Sequence, residues 1–128
     1  MKQSRVLLID DEKGLTDMVK VNLEQSGKFK VGVENEPLKA VDTAREFAPD
    51  IVVLDIVMPK KDGYDILSSF SKEPKLKNVP VVVLTALVSN DETSGAAVVR
   101  SGGEVILAKP VSSVTLIETI EARLVGQG

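Results

Sequence analysis

The chain has 128 residues, enough for one domain over residues 1–128 and too few for two with separate cores. Sixteen Lys and Arg against nineteen Asp and Glu leave a net charge of -3, which argues against a nucleic-acid or anionic-membrane surface as the main function. There is no Cys and no His, so disulfides, thiol and Ser-His-Asp catalysis, Cys- or His-held metals and a phospho-histidine on this chain are excluded. Any chemistry must use carboxylates, hydroxyls, Lys and the backbone.

No segment approaches the ~20 apolar residues of a membrane span. The apolar run behind Met1 to Arg5 is only Val6 to Ile9 and ends at Asp10-Asp11, which does not make a secretory signal. A cytoplasmic location is expected.

Short apolar runs alternate with amphipathic stretches. Val6-Leu7-Leu8-Ile9 opens the series. Leu15, Met18, Val19 and Leu23 then fall at helical spacing, with Gly27 as the stop. Phe29 to Val33 is a second strand, broken by Lys30 and Gly32 and so expected at a sheet edge. Pro37 suits the first position of a helix whose apolar side is Val41, Ala44, Phe47 and Ala48, closed by Pro49. Ile51 to Leu54 is a third strand, and Gly63 to Phe70 a helix burying Ile66, Leu67 and Phe70. Val81 to Leu84 is a fourth strand. Asn90 to Arg100 reads as a helix weakened by Gly95. Val105 to Ala108 is a fifth strand, and Ser112 or Ser113 caps a last helix with Leu116, Ile117, Ile120 and Leu124 facing inward.

Four of the five strands are apolar at almost every position, as expected of strands buried on both faces. The order βα, five times over, predicts an α/β fold: a five-stranded parallel sheet, doubly wound, with right-handed crossovers.

The polar residues follow the strands. The first strand ends at Asp10-Asp11, the third at Asp55, the fourth at Thr85 and the fifth at Lys109. In a parallel sheet these ends share one edge, where open α/β sheets bind their ligands. Three crowded carboxylates repel one another, and a hard cation such as Mg²⁺, which favours carboxylates, waters and phosphate oxygens, relieves the repulsion. Asp10-Asp11 alone also reads as a helix cap. Asp55 lies between aliphatic Ile51 to Leu54 and Ile56-Val57-Met58-Pro59, a costly place for an unpaired carboxylate, and a carboxylate can serve as a nucleophile toward phosphorus. A metal, a hydroxyl and an ammonium around one nucleophilic carboxylate supply what phosphoryl transfer needs.

This ordered set resembles the response-regulator receiver domain of two-component signalling: Asp10-Asp11, Asp55, Met58-Pro59-Lys60-Lys61-Asp62-Gly63, Thr85-Ala86 and Lys109-Pro110. The resemblance covers essentially the whole chain. It implies the flavodoxin-like (βα)₅ fold with strand order 2-1-3-4-5. It implies that Asp55 accepts a phosphoryl group from a phospho-histidine on a sensor histidine kinase or histidine phosphotransfer protein. Asp11, Asp55 and the backbone carbonyl of Val57 would hold Mg²⁺, with Asp10 acting through a bound water. Thr85 and Lys109 would each contact a phosphoryl oxygen, and the Lys109-Pro110 bond would be cis. Such a domain is not a turnover enzyme; it promotes only its own phosphorylation and dephosphorylation. The missing His agrees, since the donor must then be another molecule.

The chain departs from the family pattern at Ile106, where many receivers carry an aromatic residue whose rotamer follows phosphorylation. Val111 likewise stands where an aromatic is common. The four aromatic residues, Phe29, Phe47, Tyr64 and Phe70, all lie elsewhere. Switching is then expected to run through Thr85 and the loop from Ala86 to Asn90. Apolar Val57 and Val88 are expected to orient attacking water poorly and to make the phosphoryl group long-lived.

Three rival readings have distinguishing marks. A haloacid-dehalogenase-type phosphohydrolase needs a second Asp two residues after the nucleophile, where this chain has Val57. A flavodoxin-like electron carrier needs a Ser/Thr/Gly-rich phosphate loop, where this chain has Asp10-Asp11-Glu12-Lys13. A pseudo-receiver, binding protein partners without phosphorylation, is the alternative that Ile106 leaves open. The output partner is not identified by any motif. The resemblance implies that the face of the fourth helix, fifth strand and fifth helix, including Val98, Val99, Glu104 and Ile106, serves a partner or a weak homodimer, and no nucleic-acid or membrane contact is expected.

Overall fold

The computed structural model describes residues 3–55, 63–85, 98–99, 105–108 and 112–125. In chain order it has β1 (Ser4–Ile9), α1 (Lys13–Gln25), β2 (Phe29–Glu34), a 3₁₀ turn (Pro37–Lys39) leading into α2 (Ala40–Phe47), β3 (Ile51–Asp55), α3 (Gly63–Lys72), β4 (Val81–Thr85), β5 (Val98–Val99), β6 (Val105–Ala108) and α4 (Ser113–Val125).

The strands form one sheet in the order β2-β1-β3-β4-β6-β5. The first five in that order run parallel: β1 pairs with β2 and β3, β3 with β4, and β4 with β6. These are the five apolar runs of the sequence, and Phe29–Glu34 takes the expected edge. β1 sits between β2 and β3, so the chain reverses its direction of travel across the sheet there. That reversal is the topological switch point at which α/β sheets open a crevice.

Side chains leave a strand alternately to its two faces. Leu7, Ile9, Val52, Leu54, Val81 and Val83 enter a core covered by Ala40 and Ala44 of α2 and Ile66 and Phe70 of α3. Val6, Leu8, Ile51, Val53, Val82 and Leu84 enter a second core under Leu23 of α1 and Leu116 and Ile120 of α4. Both faces are thus sealed, which is why the strand sequences read as continuous apolar runs rather than alternating ones.

At the far edge of the sheet the register of β1 against β3 is pinned. The Arg5 N–H donates to Asp50 Oδ2 at 2.8 Å, and the Asp50 N–H donates back to the Arg5 carbonyl at 2.8 Å. The Arg5 guanidinium lies 4.2 Å from the centre of the Phe47 ring while its Nε donates to the Phe47 carbonyl. A Cβ on Gly32 would come within 2.9 Å of that ring, so the bare backbone of β2 is what admits it.

Several helix ends fall as expected. Gly27, at φ 77°, follows α1 and donates its N–H to the Glu24 carbonyl. Ser112 rather than Ser113 caps α4, its Oγ accepting from the Thr115 N–H at 3.1 Å.

Three expectations need correction. Val98–Val99, placed by the sequence reading inside a helix from Asn90 to Arg100, is instead a two-residue strand antiparallel to β6. Two consecutive β-branched residues beside an open edge favour pairing over a helical turn; the rest of that span lies outside the described residues. Met18, expected on the inner face of α1, is 56% exposed and lines a cleft of about 390 Å³ between α1 and α4, while Thr16 takes the buried position. Ala48, expected on the apolar side of α2, is exposed and ends the helix at φ 52°.

A left-handed Ala costs roughly 1–2 kcal/mol, part of which glycine gives back through the unfolded chain. Ala48→Gly is therefore expected to stabilise the fold by about 1 kcal/mol in urea unfolding; an unchanged or lowered midpoint would show that this turn carries no strain.

Candidate functional site

Ile9 of β1 lies opposite Leu54 of β3 in the parallel register. The next residue on each strand is Asp10 and Asp55. Adjacent parallel strands ending together at the switch point therefore set these two carboxylates side by side, and Asp11 joins them from the turn into α1. Carboxylate oxygens of Asp10, Asp11 and Asp55 all lie within 4.8 Å of one another. Asp10 and Asp55 are only 4% and 3% exposed, and Asp11 is half-buried.

Asp10 is held on three sides. Its N–H donates to the Glu34 carbonyl of β2, its Oδ1 accepts from the Glu12 N–H at 3.0 Å, and its own carbonyl accepts from Asn35 Nδ2 at 2.7 Å. Asp10 thus closes a local turn over the start of α1. Neither aspartate is the helix cap: Glu12 stands at that position and makes no side-chain capping bond.

The structure brings the predicted residues together unevenly. Thr85 ends β4 with its backbone opposite Ala108 of β6, the residue before Lys109. The backbones of β3, β4 and β6 therefore finish on the same edge as Asp10. Val57, Lys109, the Lys109-Pro110 bond, Val88 and the Ala86 to Asn90 loop lie outside the described residues. The sequence reading did not single out Asn35 or Thr16. The only sequence signal for Asn35 was a lone amide just past β2, and its importance depends on where its side chain reaches in the β1–α1 turn.

Chemically, three oxygen-only ligands clustered within metal-ligand reach, two of them buried, suit a hard divalent cation better than a soft metal. Two unit charges at 4.8 Å repel by roughly 3 kcal/mol at an effective dielectric near 20, less where solvent screens them.

Residues 6–121 match the family model for the response regulator receiver domain, and the chain belongs to that family. This separates it from the phosphohydrolase and flavodoxin readings. It is 36% identical over 106 residues to response regulator Rre1 of Synechocystis, covering 82% of this chain and 45% of that protein. It is 34% identical over 125 residues to protein PilH of Pseudomonas aeruginosa, covering 96% of this chain and 99% of PilH. The solved receiver domain of a Francisella response regulator superposes with a TM-score of 0.81 at 26% identity, covering 98% of this chain and all of that one. Among the described residues, no helix is long and apolar enough to cross a membrane.

The crowding has a measurable consequence. Without divalent cations, Asp11→Asn is expected to raise stability by about 1 kcal/mol in urea unfolding, because one of three like charges is removed. With Mg²⁺ the variant should gain less stability than the wild type. A variant less stable than wild type without divalent cations would mean that Asp11 is a structural charge.

Proposed function

We propose that the chain is a working receiver, residues 1–128 acting as one unit, in which Asp55 takes a phosphoryl group from a phospho-histidine on a sensor histidine kinase or histidine phosphotransfer protein. The observation that carries this reading is the buried Asp55 carboxylate beside Asp10 and Asp11 at the switch point of a receiver sheet. A carboxylate oxygen of Asp55 forms the new bond to phosphorus as the phosphorus–nitrogen bond of the donor breaks. The electron pair stays with the imidazole nitrogen, which takes up a proton.

Asp11, Asp55 and the Val57 backbone carbonyl would hold Mg²⁺, with Asp10 acting through a water. Bound there, Mg²⁺ supplies charge neutralisation for the phosphoryl oxygens. Thr85 would donate its hydroxyl to one phosphoryl oxygen, and Lys109 would pair with another. The surrounding apolar strands exclude water from the nucleophile. The chain turns over no substrate of its own; phosphorylation alters a protein-binding surface for an output partner in the cytoplasm. The net charge of -3 favours a protein partner over nucleic acid.

Acetyl phosphate with Mg²⁺ is expected to add one phosphoryl group by intact mass, and neither Asp55→Asn nor magnesium-free protein should gain it. No adduct under conditions that label a control receiver would favour the pseudo-receiver. The apolar neighbour Val57 sets a second expectation. Val57→Asn should speed loss of the phosphoryl group severalfold, because a polar side chain two residues from the acceptor can orient the attacking water; equal decay curves would remove Val57 as the cause of a long lifetime.

A further inference from the structure

We infer that Asn35 is a positioning residue for the acidic cluster, acting through the peptide plane between Asp10 and Asp11. This rests on the reading of the cluster as a Mg²⁺ site.

Asn35 Nδ2 donates to the Asp10 carbonyl at 2.7 Å and to Thr16 Oγ1 at 2.9 Å. The bonding pattern fixes the direction of the amide. A carbonyl can only accept, and the Thr16 hydroxyl already donates to the Lys13 carbonyl at 3.0 Å, so its oxygen is free to accept. Thr16 is 2% exposed, so this junction is shielded from competing water.

The Asp10 carbonyl belongs to the same rigid peptide unit as the Asp11 N–H. Holding that carbonyl restrains the rotation of this plane about its two flanking bonds, ψ of Asp10 and φ of Asp11. Those two dihedrals decide whether the two carboxylates converge on Asp55 or diverge. Asp10 is already tied through its N–H to Glu34 and through Oδ1 to the Glu12 N–H. The Glu12 bond closes a turn across the same peptide from the side-chain side, and Asn35 holds its carbonyl from the β2 side.

Asn35 is itself preorganised. Glu34 Oε2 accepts from the Glu36 N–H at 2.9 Å, and Glu34 Oε1 accepts from the Thr43 hydroxyl of α2. The turn after β2 is therefore bound to α2 on one side and to the β1–α1 turn on the other. An outer residue that orients metal-ligating groups typically accounts for a tenfold or greater effect on metal affinity.

The test is the Mg²⁺ dissociation constant, read from amide chemical shifts, for the wild type and four variants. Asn35→Ala should bind about tenfold more weakly. Thr16→Val, which removes the acceptor but leaves the Asp10 bond, should bind more weakly by a smaller factor, and Thr16→Ser should bind as the wild type does. Asn22→Ala is the control. It breaks the 2.8 Å bond from α1 to Ser113 Oγ, does not touch the Asp10–Asp11 turn, and should leave Mg²⁺ affinity unchanged whatever it does to stability. Wild-type affinity in Asn35→Ala, or equal weakening in Asn22→Ala, overturns the inference while leaving the Mg²⁺ site standing. If Asn35→Ala does not fold, the Thr16→Val and Thr16→Ser pair decides: weakening in the first with recovery in the second supports the latch, and no difference overturns it. A wild type that binds no Mg²⁺ overturns the site reading and the latch together.

Discussion

Three carboxylates held within 4.8 Å of one another are the constraint around which this chain is arranged. Left to themselves they would separate, because each added negative charge raises the cost of the others. What prevents separation is the sheet. Ile9 and Leu54 are in parallel register, both are essentially buried, and the residue after each has nowhere to go but the shared edge. The cost of crowding is offset by two sealed cores, one on each face of the sheet, and by the Arg5–Asp50 exchange of hydrogen bonds at the opposite edge. The repulsion makes the edge receptive to a cation, and the burial of Asp55 gives its carboxylate a water-poor setting.

The turn residues follow from the same constraint. Asp10 uses its N–H, its carbonyl and one carboxylate oxygen on Glu34, Asn35 and Glu12. Its other carboxylate oxygen and the side chain of Asp11 then have a defined direction. α1 begins at once behind them, so the turn is closed by backbone and side-chain bonds over a few residues. A site assembled this way is stiff on the β1 side, with β2 and α2 bracing it through Asn35 and Glu34.

Much of this was legible in the sequence, and the reason is physical. Val6 to Ile9, Ile51 to Leu54 and Val81 to Leu84 are apolar at every position because both faces of those strands are covered, and a polar residue directly after such a run marks the sheet edge. Lys30 and Gly32 marked the edge strand for the complementary reason. What escaped depends on tertiary partners. Val98–Val99 is too short to have a period, and its pairing exists only because β6 offers an edge. Met18 keeps helical spacing with Leu15 and Val19, and all three line the cleft between α1 and α4, yet Met18 is left exposed there, a matter of how α4 docks. Pro49 marked the end of α2, but Ala48 before it takes a left-handed conformation that favours glycine, so its place off the apolar side was not announced. Asn35 stayed hidden although β2 was expected beside β1, since a single amide has no pattern of its own and its role lies in side-chain bonds to Asp10 and Thr16.

On the proposed reading, the Asp10–Asp11–Asp55 edge is one divalent-cation site that presents Asp55 to a phosphoryl group. Fluorine NMR of beryllofluoride, a non-hydrolysable phosphoryl mimic, tests both halves at once. A bound signal is expected only with Mg²⁺ present and is expected to be absent from Asp55→Asn. A wild-type protein that gives no bound signal at saturating Mg²⁺ would contradict it, and the cluster would then be a set of structural charges on a receiver fold.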